Sequence, residues 1–300
     1  MRAGTVDPEP FKEVPVIEHV GVVGCGLMGS GITEVCARAG LSVVVREVDE
    51  PALSAGRSRV ERSLARAVGA GKLSEESREA ALGRLLFTTS LDDLGGCELV
   101  VEAVVENEAA KLDVFSALDR VVERPDAVLA SNTSSIPIMK LAMATGRPEQ
   151  VVGIHFFNPV PVLRLVELVT SLLTSDETAE TARSFVTERL GKTVIASKDR
   201  AGFVVNALLI PYILSAIRML ESGFATAEDI DNGMVEGCAH PMGPLALADL
   251  IGLDTTQAVA LSLYEEFKEP LYAPPPLLSR MVEAGLLGRK TSQGFYPYAR

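Results

Sequence analysis

The chain has no tryptophan, only three histidines and four cysteines in 300 residues, and just 5% aromatic residues. Positive charge is also scarce, with 28 Lys and Arg against 40 Asp and Glu and a formal charge of −12. Each shortage excludes something. A polyanionic partner needs a basic footprint, so nucleic acid and anionic membrane are excluded as main partners, while an anionic ligand held by a local cluster is not. Cys25, Cys36, Cys97 and Cys238 show neither C-x-x-C spacing nor zinc spacing to a histidine. They read as small buried hydrophobes of a reducing compartment, the cytoplasm, and no metal site is expected. The opening MRAGTVDPEPFKEV has no apolar core and carries acids, so residues 1–14 read as a flexible extension and not a secretory signal. The apolar run GFVVNALLIPYILSAIRML from Gly202 is interrupted by Asn206, Pro211, Ser215 and Arg218. It reads as a buried helix of a soluble protein, although its length approaches the ~20 residues of a membrane span.

What is present is a change of grammar along the chain. HVGVVG (from His19) and LSVVVRE (from Leu41) are short β-branched runs, and the stretch between them, closed by Gly40, has a helical pattern: a βαβ unit. A charged helical stretch from Ala52 to Gly83, broken near Gly69–Gly71, follows. LLFTT, CELVVEA, AVLASN and VVGIHF read as further strands, with a helix over Lys111–Arg124. Continuously apolar strands alternating with helices imply a doubly wound, mostly parallel sheet covered on both faces. From Gly202 onward strand signals vanish, and helices are expected at Phe203–Ser222, Ala227–Glu236, Pro244–Phe267 and Pro276–Ala284. The expected class is therefore α/β: a Rossmann-like dinucleotide-binding domain over 15–198, then an all-α domain over 199–300.

Gly24, Gly26 and Gly29 in GVVGCGLMGSG have G-x-G-x-x-G spacing. The first glycine permits a tight turn, the second lets backbone approach a pyrophosphate, and the third allows close helix–strand packing. Alone the pattern is weak. Here it follows a strand and opens a helix, and Glu47 ends the next strand where a ribose 2′-hydroxyl would be held. Glu47 favours NAD because a carboxylate repels a 2′-phosphate; the adjacent Arg46 keeps NADP open.

HFFNPVPVLRLVE runs from His155 to Glu167. Val151–Phe156 and Leu163–Val169 read as strands separated by the bend FNPVP, and folding them back about Pro161 sets His155 opposite Glu167. A carboxylate on one ring nitrogen fixes the tautomer and leaves the other nitrogen as a base. A structural histidine at a strand end is the alternative; a neighbouring dinucleotide site favours catalysis. SNTSS (131–135) follows an apolar strand, at the edge where open α/β sheets bind ligands, and can hold a substrate oxygen, the nicotinamide ribose, or the start of the helix IPIMKLA. Asn206, at an apolar helix start, would cost ~1–3 kcal/mol if buried without a partner, which suggests a ligand or cross-domain contact.

Taken in order, GCGLMGSGI, VVEAVVEN, ASNTSS, HFFNPVPVLRLVE, GFVVN, HPMGPLALADLIGLD and GRKTSQGFY resemble the L-3-hydroxyacyl-CoA dehydrogenase family, and its bacterial 3-hydroxybutyryl-CoA branch in particular, over nearly the whole chain. The resemblance implies that His155 is the general base and Glu167 its orienting partner. It implies that Ser134 and Asn206 bond the substrate oxygens, and that Gly24, Gly26, Leu27, Met28, Gly29, Glu47, Ala103, Glu106, Lys111 and Asn132 hold NAD. It also implies a homodimer through the helical domain. Three departures stand out. Ala201 replaces a frequent proline, and Ser292 replaces a glycine of the closing K-[ST]-G-x-G. In SLARAVGAGKL, Gly69 and Ala70 stand where basic residues often meet the CoA phosphates, leaving Ser63, Arg66 and Lys72 as candidates. The thinned basic set keeps open the same chemistry on an acyl-carrier-protein thioester. A sugar-acid dehydrogenase and a non-catalytic cofactor-binding protein on this fold are the remaining alternatives.

Overall fold

The structure, a computed structural model, describes residues 16–299; the expected extension over 1–14 lies outside the described residues. Strand β1 (His19–Val23) passes through the glycine turn into helix α1 (Leu27–Arg38), and the chain returns as β2 (Ser42–Arg46), parallel to β1. Helix α2 (Glu50–Gly69) starts where the Asp49 carboxylate accepts the Ala52 N–H, and α3 (Glu75–Leu82) starts on a Ser74 cap. They are separated where the two glycines suggest a break. There follow β3 (Leu85–Thr88), β4 (Leu99–Glu102), α4 (Glu108–Val121), β5 (Val128–Ser131), α5 (Ile138–Ala142), β6 (Val151–Phe156), β7 (Leu165–Thr170), α6 (Asp176–Ser184) and β8 (Thr193–Lys198). Helix α4 begins three residues ahead of the expected Lys111, because Asn107 caps it by accepting the Ala110 N–H.

The strand order is β3-β2-β1-β4-β5-β6-β7-β8. Pairing is parallel from β3 through β6, and β7 runs antiparallel to β6. The order reverses between β1 and β4, so a crevice opens outside the carboxyl ends of those strands, where this architecture binds ligands. Every residue of β4, β5 and β6 is buried, which explains their unbroken apolar runs. Ile32 and Cys36 of α1, Val60 and Leu64 of α2 and Ala81 of α3 pack into the same core; each large aliphatic contributes about 1.5–3 kcal/mol by leaving water.

Five helices follow: α7 (Val205–Glu221), α8 (Ala227–Cys238), α9 (Pro244–Ile251), α10 (Leu253–Phe267) and α11 (Pro276–Glu283). The single helix expected over Pro244–Phe267 is in fact two, turning through 98° at Gly252, whose φ of 104° suits glycine alone. They share a core of Ile213, Leu214, Ile217, Leu245, Leu253, Leu263 and Leu278. Among the described residues no single helix is long and apolar enough to cross a membrane. Two buried carboxylates tie this unit together. Asp231 accepts the Leu245 and Ala246 N–H groups at 2.8 and 2.9 Å, and Asp249 accepts those of Phe295 and Tyr296, both at 3.0 Å. Burial pushes the Asp249 carboxyl up. Ala201, where the family often has proline, donates its N–H to Glu266 at 2.9 Å, a bond proline could not make. By compactness the chain divides into the sheet-bearing residues up to 133 with 138–196, and a helical unit of 134–137 with 197 onward.

Candidate active site

The glycine turn meets each demand of its spacing. Gly24 has φ 90°, and a Cβ there would lie 2.8 Å from the Ala103 carbonyl oxygen. A Cβ on Gly29 would lie 1.8 Å from the Gly24 carbonyl oxygen, so only glycine lets α1 pack this closely. At Gly26 a Cβ would meet nothing within 4 Å: the space that the second glycine keeps free contains no protein. Gly26 also caps α1 without a side-chain bond, leaving first-turn N–H groups available to an anion. A cleft of about 370 Å³ opens here, lined by Gly24, Gly26, Arg46, Glu47, Ala103, Val104 and neighbouring aliphatics. Glu47 is held in place by the N–H groups of Cys25 (2.5 Å) and Val48 (3.1 Å), one on each oxygen, and each oxygen keeps accepting capacity for a ribose hydroxyl. Arg46 is engaged with the Thr89 carbonyl at 3.3 Å. The apolar walls, open turn and acid all fit NAD.

A polar cluster lies at the carboxyl end of β4 and β5. Glu102, fully buried and not singled out in the sequence, accepts from Lys111 Nζ (2.6 Å), Val104 N (2.7 Å) and Ser131 Oγ (2.6 Å). Lys111 also reaches Glu106 at 3.3 Å, and Thr133 Oγ1 donates to Glu106 at 2.6 Å. Asn132 accepts the Phe156 N–H at 2.9 Å, joining β5 to the strand that carries the histidine. A charged residue closing an apolar strand at the switch point was the signal for Glu102.

His155 and Glu167 are paired across the β6–β7 ladder, with Nδ1 and Oε2 2.7 Å apart, and both are buried. Their separation in sequence is bridged by a bend containing a cis Asn158–Pro159 bond. Lys192 Nζ donates to the Val160 and Leu163 carbonyls of that bend, both at 2.7 Å. A carboxylate only accepts, so the ring proton belongs on Nδ1 and the lone pair on Nε2. The ladder aligns Glu102 with Ser131 and Ser131 with Gly153, so His155 stands two residues further toward the carboxyl edge of the sheet. The Phe157 ring packs edge-on, 4.7 Å from the imidazole centre.

A second cleft, of about 180 Å³, is lined by Leu27, Arg59, Arg62, Ser63, Arg66 and the bend at 158–161. Ser63 and Arg66 are thus brought together, but Lys72 does not line the cleft: it is exposed beyond the end of α2. Arg59 and Arg62 line it as well, and their spacing with Arg66 sets all three on one face of α2. Ser134 belongs with the helical unit, where Ser262 Oγ donates to the neighbouring Ser135 carbonyl at 3.2 Å. Asn206 opens α7 and is half-buried, so the full desolvation cost argued from the sequence does not apply. Cys25, Cys36 and Cys97 are buried as expected, whereas Cys238 is exposed, at the last position of α8.

Two family models match the chain: the NAD binding domain of 3-hydroxyacyl-CoA dehydrogenase over residues 19–200 and the C-terminal domain of the same family over 202–298. A 3-hydroxybutyryl-CoA dehydrogenase of Mycobacterium tuberculosis is 61% identical over 282 residues, covering 94% of this chain and 99% of the relative. The crystal structure of M. tuberculosis FadB2 superposes with a TM-score of 0.94 at 61% identity, over 95% of this chain and 100% of that one. A (S)-3-hydroxybutyryl-CoA dehydrogenase from Ralstonia eutropha gives a TM-score of 0.89 at 47% identity, over the same shares. With its glycine turn, its His–Glu pair and both halves matched, the chain belongs to the 3-hydroxyacyl-CoA dehydrogenase family.

Proposed function

We propose that the chain is an NAD-linked (S)-3-hydroxyacyl-CoA dehydrogenase acting on short acyl thioesters, interconverting 3-hydroxybutyryl-CoA and acetoacetyl-CoA. The observation that carries this is the buried His155–Glu167 pair, 2.7 Å apart, on the sheet edge that also holds the dinucleotide turn. When bound, NAD supplies the nicotinamide ring that exchanges hydride with C3. Nε2 of His155 takes the proton of the 3-hydroxyl, and Glu167 holds the ring oriented and balances the charge it gains. Ser134 and Asn206 hydrogen-bond the substrate oxygens, in keeping with the family pattern. Lys111, Glu106 and Asn132 orient the nicotinamide ribose, while Glu47 receives the adenine ribose.

Coenzyme A is the carrier that the α2 face favours. Arg59, Arg62 and Arg66 line the second cleft together with Ser63, a basic set suited to phosphates. The free cysteines suit a reducing compartment, and we place the enzyme in the cytoplasm as a homodimer built through the helical unit.

The test follows NADH oxidation with acetoacetyl-CoA and with the same acyl group on an acyl carrier protein. Turnover of the CoA thioester is expected, with His155→Ala slowed about 10²–10⁴-fold and its NADH affinity kept. Turnover on the carrier protein alone would replace the substrate assigned here, and a His155→Ala enzyme at wild-type rate would remove the base.

A further inference from the structure

We propose that Glu102 is a positioning residue that couples the cofactor cleft to the general base, a role that rests on the function proposed above. Its carboxylate gathers helix α4 and the ends of β4 and β5. Oε1 accepts from Lys111 Nζ at 2.6 Å and from the N–H of Val104, a wall of the NAD cleft, at 2.7 Å; Oε2 accepts from Ser131 Oγ at 2.6 Å. The Glu102 backbone continues the link: its carbonyl accepts the Asn132 N–H at 2.9 Å, and the Asn132 side chain accepts the Phe156 N–H at 2.9 Å. Phe156 adjoins His155 and pairs with Val166 next to Glu167. An unbroken hydrogen-bonded path therefore runs from the cleft wall through β4 and β5 to the peptide beside the imidazole, and it lies wholly within the sheet-bearing unit.

The energetics favour placement over bulk stability. Glu102 and Lys111 are exposed by no more than 1%. A buried ion pair recovers little more than its desolvation cost, and an apolar pair of similar volume would hold two strands together as well. What an apolar pair cannot do is aim an ammonium at one point, 3.3 Å from the half-exposed Glu106, and hold the β5 terminus to within a hydrogen-bond length. Displacing a reacting group by about 1 Å costs on the order of 10²-fold in rate. Reducing the distance error at both the ribose residues and the base is thus a function one buried carboxylate can serve.

Two variants read the two arms. Glu102→Gln keeps shape but loses the charge opposite Lys111; we expect its NADH dissociation constant to rise about tenfold, the loss of one charge-assisted hydrogen bond. Its kcat is expected to fall roughly 10–100-fold with the KM for acetoacetyl-CoA little changed. Ser131→Ala leaves the ion pair intact and frees only the β5 side. It is expected to hold NADH within about twofold of wild type, yet to lose kcat several-fold and to show a larger primary isotope effect with deuterated NADH, as misplacement slows the hydride step. The NADH titration needs no acyl substrate, so it reads Glu102 even if the wild-type chain fails to turn over acetoacetyl-CoA. A folded Glu102→Gln protein with wild-type NADH affinity and kcat, showing only a lower melting temperature, would overturn the proposal. Should that variant not fold, Ser131→Ala with unchanged kcat and isotope effect overturns it instead.

Discussion

Gly26 and Gly29, three residues apart, face opposite physical demands. A methyl group on Gly29 would press to 1.8 Å from the Gly24 carbonyl oxygen, so α1 must move; a methyl on Gly26 meets no protein atom within 4 Å. Gly29→Ala is expected to lose about 1–3 kcal/mol of stability by overpacking, and NADH binding with it. Gly26→Ala, whose φ of −68° any residue adopts, is expected to keep the wild-type melting temperature and still lose NADH, because its methyl occupies the pyrophosphate path. Thermal melts and NADH titrations run side by side separate the two; wild-type affinity in Gly26→Ala would show that the pyrophosphate runs elsewhere. The cysteines give a second residue-scale result. Burial pushes Cys25, Cys36 and Cys97 each up to about 12, against an ordinary 9.0. Below pH 9 both native and unfolded thiols are protonated and the native state keeps its full stability. Between about 9 and 12 the unfolded chain releases protons that the native chain retains, so stability falls as pH rises, by up to about 1.4 kcal/mol per pH unit per thiol. Urea unfolding across pH 8–10.5 should show Cys36→Ala with a shallower decline than wild type, and a thiol reagent at pH 8 should find only Cys238 before unfolding. Equal slopes would mean that the Cys36 thiol titrates in the native core.

Elements show where sequence patterns succeed and where they lose their signal. Strands β1 and β4 to β6 were legible because near-complete burial makes them continuously apolar, the partly buried β2 and β3 because they are short apolar runs, and the β6–β7 register because the prolines of the bend left one sensible fold-back. Helix α6 was missed: its buried face consists of Thr178, Thr181 and Ala182, which carry no apolar periodicity. Strand β8, mostly exposed or half-buried, was silent for a similar reason. The α9–α10 corner was hidden because both helices are apolar and a lone glycine reads equally as an interior residue. Glu102 went unremarked because a buried carboxylate is identified by its partners, and those come from α4 and β5. The C-terminal segment offers a prediction at this scale. Ser292 stands where the family usually has glycine, and it has φ 61° and ψ 8°, the left-handed region. A serine there costs about 1 kcal/mol relative to glycine. Ser292→Gly is therefore expected to stabilise the protein by about that amount, visible as a higher melting temperature, with NADH affinity unchanged; no gain would mean that the serine hydroxyl offsets its backbone strain.

At the scale of the whole molecule, the uneven distribution of apolar surface points to self-association. The helical unit leaves Leu208 73% and Leu250 48% exposed, beside an apolar hollow of about 540 Å³ lined also by Leu209, Tyr212, His240, Pro241, Met242 and Leu247. In the homodimer proposed above, a second copy of the same patch would cover this surface by twofold symmetry. Sedimentation equilibrium should give about twice the 31.9 kDa of the chain, a dimer of the commonest symmetry class. Leu208→Glu should shift it to monomer by placing a charge in the apolar contact. Because Leu208 lies two residues beyond Asn206 at the start of α7, dissociation should also raise the KM for the acyl thioester while NADH affinity, which depends on the glycine turn, is retained. A wild-type chain that sediments as a monomer would remove the interface altogether, and a Leu208→Glu protein that stays dimeric would move it off α7; either result removes this link between assembly and substrate binding.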